Sequence, residues 1–213
     1  MSRYVTACNG DTKRAMTLYR LNLKLSQELF TGISCFEIGL RNAIDSCYLI
    51  HSGNNWLRNA TLSGGMFDTP NCIRTKRLID NNLQKLGLNH SHSKLIAEMD
   101  FGFWRYLFAQ PQYFAGRQKL LQIFPAKPRS TPSFQYNQAF IFNQLGLINE
   151  IRNRIAHHEP ICFISGQAVK STTYVRQHYT HILQLFQWMS IDEAALLYGL
   201  DHINSVCNQI DNL

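Results

Sequence analysis

Residues 134–160 read FQYNQAFIFNQLGLINEIRNRIAHHEP. Phe134, Ile141, Leu145, Ile148 and Ile155 follow one another at spacings of seven, four, three and seven, which is the pattern of one helix face. The spacing predicts a long helix from about 134 to about 158, limited by Pro160. Arg152 stands four residues after Ile148 and seven after Leu145, on that same apolar stripe. A charge on a buried-looking face is expected to be paired or used. Cations in the last turns also complement the negative pole of the helix dipole, so a solvated helix terminus is the competing reading.

Outward from this stretch the chain reads as helices between short turns. Asn9-Gly10-Asp11 is a turn leading to an N-cap, followed by a stripe of Ala15, Leu18, Tyr19, Leu21, Leu25, Leu29 and Phe30. Gly32 is expected to interrupt it. A second helix carries Ile33, Phe36, Leu40, Ile44, Cys47 and Tyr48 and ends near 53–55. Residues 53–71, with Gly64-Gly65 and Pro70, read as a long loop. A basic helix over 72–87 closes at Gly87, residues 92–109 end in an aromatic cluster, and a short helix lies around 115–123. The Pro-rich stretch 125–132 reads as an inter-helix loop rather than a domain boundary. Helices over about 168–189 and 191–210 complete the chain, and only 161–164 reads as strand. The expectation is an all-α fold, one domain over 1–213, with additional helices and long loops.

Composition narrows the function. Hydrophobic residues are 45% and charged residues only 16% of the chain, which excludes a disordered polyelectrolyte. No run of about 18 apolar residues occurs, so no membrane span is expected. The net charge is +7, unevenly spread. Residues 1–170 hold 20 basic and 10 acidic side chains, whereas 171–213 hold Arg176 against Asp192, Glu193, Asp201 and Asp211. A basic body points to a polyanionic partner without choosing which. The polar first residues, Met1 to Cys8, contain no apolar leader core, so the cytoplasm is the expected location. Cys8, Cys35, Cys47, Cys72, Cys162 and Cys207 form no C-x-x-C pair and read as reduced, partly buried thiols. The triplets beginning at Asn59 and Asn89 match glycosylation sequons, which carry no meaning without secretion.

The densest polar cluster is Glu150-Ile-Arg152-Asn153-Arg154-Ile-Ala-His157-His158-Glu159-Pro160. Arg152-x4-His157, with Asn153 directly after the arginine, resembles the R-x4-6-H motif of HEPN domains. More narrowly, 147–161 is similar to the signature of the Abi-like (abortive infection) family. Leu18-Tyr-Arg-Leu-Asn22 with Leu25-Ser26, then Phe36-Glu37-x3-Arg41-Asn42-Ala43-Ile44-Asp45, resemble that family's N-terminal helices. Phe101-Gly-Phe-Trp-Arg-Tyr-Leu107 resembles its middle segment. These segments span roughly 1–165, and 170–213 carry the weakest resemblance. The resemblance implies a HEPN-like helical bundle, commonly dimeric, and often a metal-independent endoribonuclease. It places Arg152, Asn153 and His157 at the catalytic positions, with no cofactor and no metal.

The chemistry is consistent with those residue types. RNA carries its own nucleophile, the 2′-OH. A histidine can exchange the proton near neutral pH. An arginine can hold the phosphate with a planar fork and keep its charge. A 2′,3′-cyclic phosphate product is expected. In a regular helix, however, residues five apart lie about 140° apart and about 7.5 Å along the axis. A shared site needs the helix to end or distort before His157, or two copies to meet across a two-fold axis. His158 is the alternative base, Arg154 an expected RNA contact, and Glu150 and Glu159 either orient the histidines or belong to plain surface.

Other groups are weighed against blander roles. Glu37, Arg41 and Asn42 either support the Arg152 helix or add a phosphate contact, or Glu37 and Arg41 form an i,i+4 surface pair. The aromatics of 101–108 could stack bases, but their density reads as core. His90 and His92 lack metal-spaced companions, and His178 and His181 read as surface or internally satisfied. The first functional reading is therefore an endoribonuclease acting as a toxin or phage-defence effector. Its expected partners are RNA, a second copy of the chain, and an antitoxin or nucleotidyltransferase. The alternative is a non-catalytic HEPN module that binds RNA, a nucleotide or a partner protein.

Overall fold

In the computed structural model, which describes residues 2–87 and 90–213, the helices are α1 (Ser2–Ala7), α2 (Thr12–Ser52), α3 (Trp56–Asn59), α4 (Ile73–Leu86), α5 (His92–Ala97), α6 (Phe101–Tyr106), α7 (Gln110–Ala115), α8 (Gln138–Ala156), α9 (Thr173–Trp188), α10 (Glu193–Leu196) and α11 (Ile203–Asp211). Pro70–Cys72 and Leu120–Ile123 form 3-10 turns. Among the described residues there is no strand, and the chain is all-α. The strand expected over 161–164 is reduced to a single antiparallel bridge between Phe163 and Lys170. No helix among the described residues is long and apolar enough to cross a membrane. Asn89, the first residue of the second sequon, lies outside the described residues, as does Met1.

The two helices expected on either side of Gly32 are one. Asp11 caps α2, its Oδ1 accepting from the backbone N–H of Lys13 (2.9 Å) and Arg14 (3.0 Å). The helix then runs 41 residues without a break. A mid-helix glycine costs about 1 kcal/mol relative to alanine. Leu25, Leu29, Ile33, Phe36 and Leu40, all fully buried around Gly32, each contribute about 1.5–3 kcal/mol, so burial outweighs propensity.

The chain divides into two compact units, and the division falls within α2 and α8 rather than at 125–132. The first unit combines Met1–Phe36 with Leu147–Leu213. Inside it, Phe36 meets Phe186 edge-on at 5.2 Å, and Tyr4 packs edge-on against Tyr19 and Phe163. The buried Asn22 side chain accepts from the N–H groups of Ile161 (3.0 Å) and Cys162 (3.3 Å), satisfying the backbone just beyond α8. The helix expected over 191–210 is two, α10 and α11. Asp192 caps α10 through Ala195, and Gly199 at φ 73° turns the chain before α11. The acidic residues of this tail have local structural tasks. Asp211 binds Thr172 and Arg176, Asp201 accepts from Tyr179, and Glu193 accepts from Gln187.

The second unit is Glu37–Gly146. The loop expected over 53–71 contains α3, because Trp56 and Leu57 are fully buried and the Trp56 indole N–H donates to Asp45 at 2.7 Å. Residues 92–109 hold two helices, α5 capped by Ser91 and α6 capped by Asp100, and α7 begins earlier than expected with Pro111 in its first turn. Phe101, Phe103, Trp104 and Phe108 are core, in line with the packing reading of that segment.

Candidate functional site

The sequence motif lies at the end of α8. Asn137 caps this helix, accepting from Phe140 N–H at 3.0 Å, so α8 starts at Gln138 and not at 134. Phe134 precedes the helix in a turn held by Thr131 and is 47% exposed, not part of the buried stripe. Ile141, Leu145, Ile148 and Ile151 are fully buried. Ile151, three residues after Ile148, takes the stripe position that the spacing assigned to Arg152. With 3.6 residues per turn both positions border the same face, and the apolar side chain turns inward. Arg152 is half-buried at the edge of the stripe and is engaged rather than free.

The end of α8 is a Schellman turn. Glu159 N–H donates to Arg154 O and His158 N–H to Ile155 O, both at 2.9 Å, with His158 left-handed at φ 57°. His158 thus occupies the position usually held by glycine, and its first identifiable task is conformational. His157 precedes the turn, and its N–H still donates to Asn153 O at 2.9 Å. The helical path therefore continues through His157, and the break comes one residue later. Within one copy, Arg152 and His157 keep their separation around the helix. Asn153 and His157, four apart, share a face, and both are exposed.

Arg154 is committed to the turn. Its guanidinium donates to Pro160 O at 3.0 Å, pairs with Glu159 at 3.3 Å and lies 4.8 Å over the Tyr174 ring. This ties the end of α8 to α9 and occupies the side chain expected to contact RNA. Glu150 is exposed on the same helix. His178 is buried, its Nδ1 donating to Tyr174 O at 2.9 Å, which answers its reading as internally satisfied at that nitrogen.

Glu37, Arg41 and Asn42 belong to the second unit. Glu37 and Arg41 are half-buried, and Asn42 is exposed. Glu37 is engaged rather than free, whereas the Arg41 Nε is buried without a hydrogen-bond partner. The basic excess also concentrates in this unit: 12 Lys and Arg against 6 Asp and Glu, compared with 9 against 8 in the first. The unit carrying the Arg152–His157 motif is therefore close to neutral.

Two features of the second unit escaped the sequence reading. Asp45 Oδ1 accepts from both Trp56 Nε1 and His92 Nε2 at 2.7 Å, while His92 Nδ1 is buried without a hydrogen-bond partner. Asp45 and His92 are 47 residues apart, and no local pattern joins them. The second is a pocket of about 240 Å³ beside α3 whose wall includes Gly116, Arg117 and Lys119. Its only sequence signal was a glycine next to two cations. Among the described residues no three His, Cys, Asp or Glu side chains gather as a metal-ligand set, and all six cysteines are free. Burial pushes the Cys162 thiol up to about 12 and also raises Cys47 and Cys207. Compared with protein families, curated proteins and solved structures, the chain has no match in any of the three.

Proposed function

We propose that the chain is a metal-independent endoribonuclease of the HEPN type, working as a toxin or phage-defence effector. The observation that carries this reading is the exposed Asn153–His157 pair where α8 ends, flanked by Arg152. His157 moves the proton between the 2′-OH and the leaving oxygen, and Arg152 stabilises the charge developing on the phosphate. The separation of Arg152 and His157 around α8 calls for two copies, each completing the other's site across a two-fold axis.

The test is cleavage of a total-RNA pool in EDTA, with 2′,3′-cyclic phosphate ends as the product. Arg152→Ala and His157→Ala each abolish cleavage. Mixing the two variants restores about a quarter of wild-type activity. Half the dimers are mixed, and each mixed dimer holds one intact composite site of two. Cleavage by a strictly monomeric protein defeats the composite arrangement. RNA binding without cleavage favours the alternative, a non-catalytic module, for which the basic second unit supplies the charge.

A further inference from the structure

We propose that the second unit carries a binding site for a small phosphomonoester in the pocket between the end of α2, α3 and the turn after α7. The pocket lies wholly within that unit and stands apart from the RNA-cleavage reading.

Its charge is one-sided. Arg117, Lys119 and His51 line it, and no Asp or Glu does. Neither Arg117 nor Lys119 has a carboxylate partner among the described residues, and three acids of the unit are engaged elsewhere. Asp45 holds Trp56 and His92, Asp68 holds Lys76, and Glu98 holds Lys85. Cations that converge without counter-charge repel one another, and a bound dianion removes that repulsion. His51 is oriented for the task. Its Nε2 donates to Gln122 Oε1 at 3.0 Å, which leaves Nδ1 without a hydrogen-bond partner among the described residues.

The wall that presents Arg117 is strained. Arg117 (φ 57°) and Gln118 (φ 59°) are consecutive left-handed residues, and neither is glycine. The turn is held by Arg117 N–H to Phe114 O and Gln118 N–H to Tyr113 O, both 2.9 Å, and by Tyr113 Oη to Gln118 O at 3.0 Å. Glycine would suit position 117, but the chain places it at 116, where a Cβ would overlap the Tyr48 hydroxyl. Arg117 thus keeps an unfavourable backbone at a position that lines the pocket, a pattern that persists where the side chain is used.

The ligand class follows from size and charge. About 240 Å³ is below the roughly 300–1,000 Å³ of clefts for drug-sized molecules. It accommodates a phosphate with a small organic group against the apolar part of the wall, Ala60, Met66 and Ala115. A forked guanidinium beside an ammonium matches phosphate oxygens.

Calorimetric titration of the full chain at low salt tests this with inorganic phosphate, glycerol 3-phosphate and glycerol. Glycerol 3-phosphate and phosphate bind saturably, and glycerol does not. Arg117→Gln and Lys119→Gln each weaken binding about tenfold, the loss of one charged hydrogen bond. Lys94→Gln, an exposed cation elsewhere in the unit, leaves it unchanged. Arg117→Gly raises the urea midpoint while binding falls, separating the strain from folding. Unchanged affinity in Arg117→Gln and Lys119→Gln overturns the proposal. So does an equal loss in Lys94→Gln, binding of glycerol as tight as glycerol 3-phosphate, or binding of inorganic phosphate with exclusion of glycerol 3-phosphate.

Discussion

Gly116→Ala places a Cβ against the Tyr48 hydroxyl oxygen, well inside van der Waals contact, and 3.0 Å from its Cζ and 3.2 Å from its Cε1. Tyr48 cannot swing aside, since it is 1% exposed and its ring lies 4.4 Å from that of Trp56. Relief therefore requires moving the backbone after α7 or the α2 side chain, an overpacking cost of about 2–3 kcal/mol. For a chain of this length that corresponds to a melting temperature about 4–12 °C lower. Tyr48→Phe removes the clashing atom and also a buried hydroxyl that has no hydrogen-bond partner, so alone it is neutral or stabilises by about 1 kcal/mol. In the Tyr48→Phe background the nearest atom to the new Cβ is the 3.0 Å carbon, and the cost of Gly116→Ala falls to about 1 kcal/mol. The coupling energy is then about 1–2 kcal/mol, well above the ~0.5 kcal/mol scatter of independent sites. Urea melts followed by tryptophan fluorescence, with constant m-values, measure all four corners of the cycle. Additivity within that scatter refutes the close approach of Gly116 to Tyr48 as the reason for the glycine.

Replacing His158 with glycine removes a non-glycine residue from the left-handed position ending α8. It is expected to stabilise by about 0.5–1 kcal/mol, after allowance for the looser unfolded chain. Under the proposed function this variant still cleaves RNA, and an inactive His158→Gly beside an active His157→Ala transfers the base to His158. The buried Cys162 thiol, raised from 9.0 to about 12, is neutral in both folded and unfolded chains below pH 9. Above that the unfolded thiol ionises first, so stability is present below pH 9 and is lost as pH rises toward 12. A urea midpoint series across this window shows the decline, and Cys162→Ala makes it shallower; an identical slope in the variant assigns the alkaline loss to other groups.

Periodicity was enough to read the helices, because a 3.6-residue apolar repeat is a local property of the chain. The basic helix expected over 72–87 appears as α4, Ile73–Leu86, and the aromatics of 101–108 are core apart from exposed residues such as Tyr106. A cap went unread where a single polar residue splits a helical pattern, as Asp100 does between α5 and α6, and so did the turn at Gly199 that divides the helix expected over 191–210. The Arg152–Asn153–His157 motif was visible as a sequence, whereas its angle around α8 and the conformational task of His158 were not.

What the sequence by itself determined is the helical class and the identity of the polar groups at the end of α8. The tertiary structure decided the rest: that burial carries α2 through Gly32, that Ile151 and not Arg152 turns inward, and that Arg154 locks a turn. It also decided that Asp45 meets His92 and that Arg117 and Lys119 share a wall with His51. The physical reason is that backbone periodicity depends on near neighbours. Burial, charge pairing and the room left for a Cβ depend on residues tens of positions apart, which only the folded chain brings together.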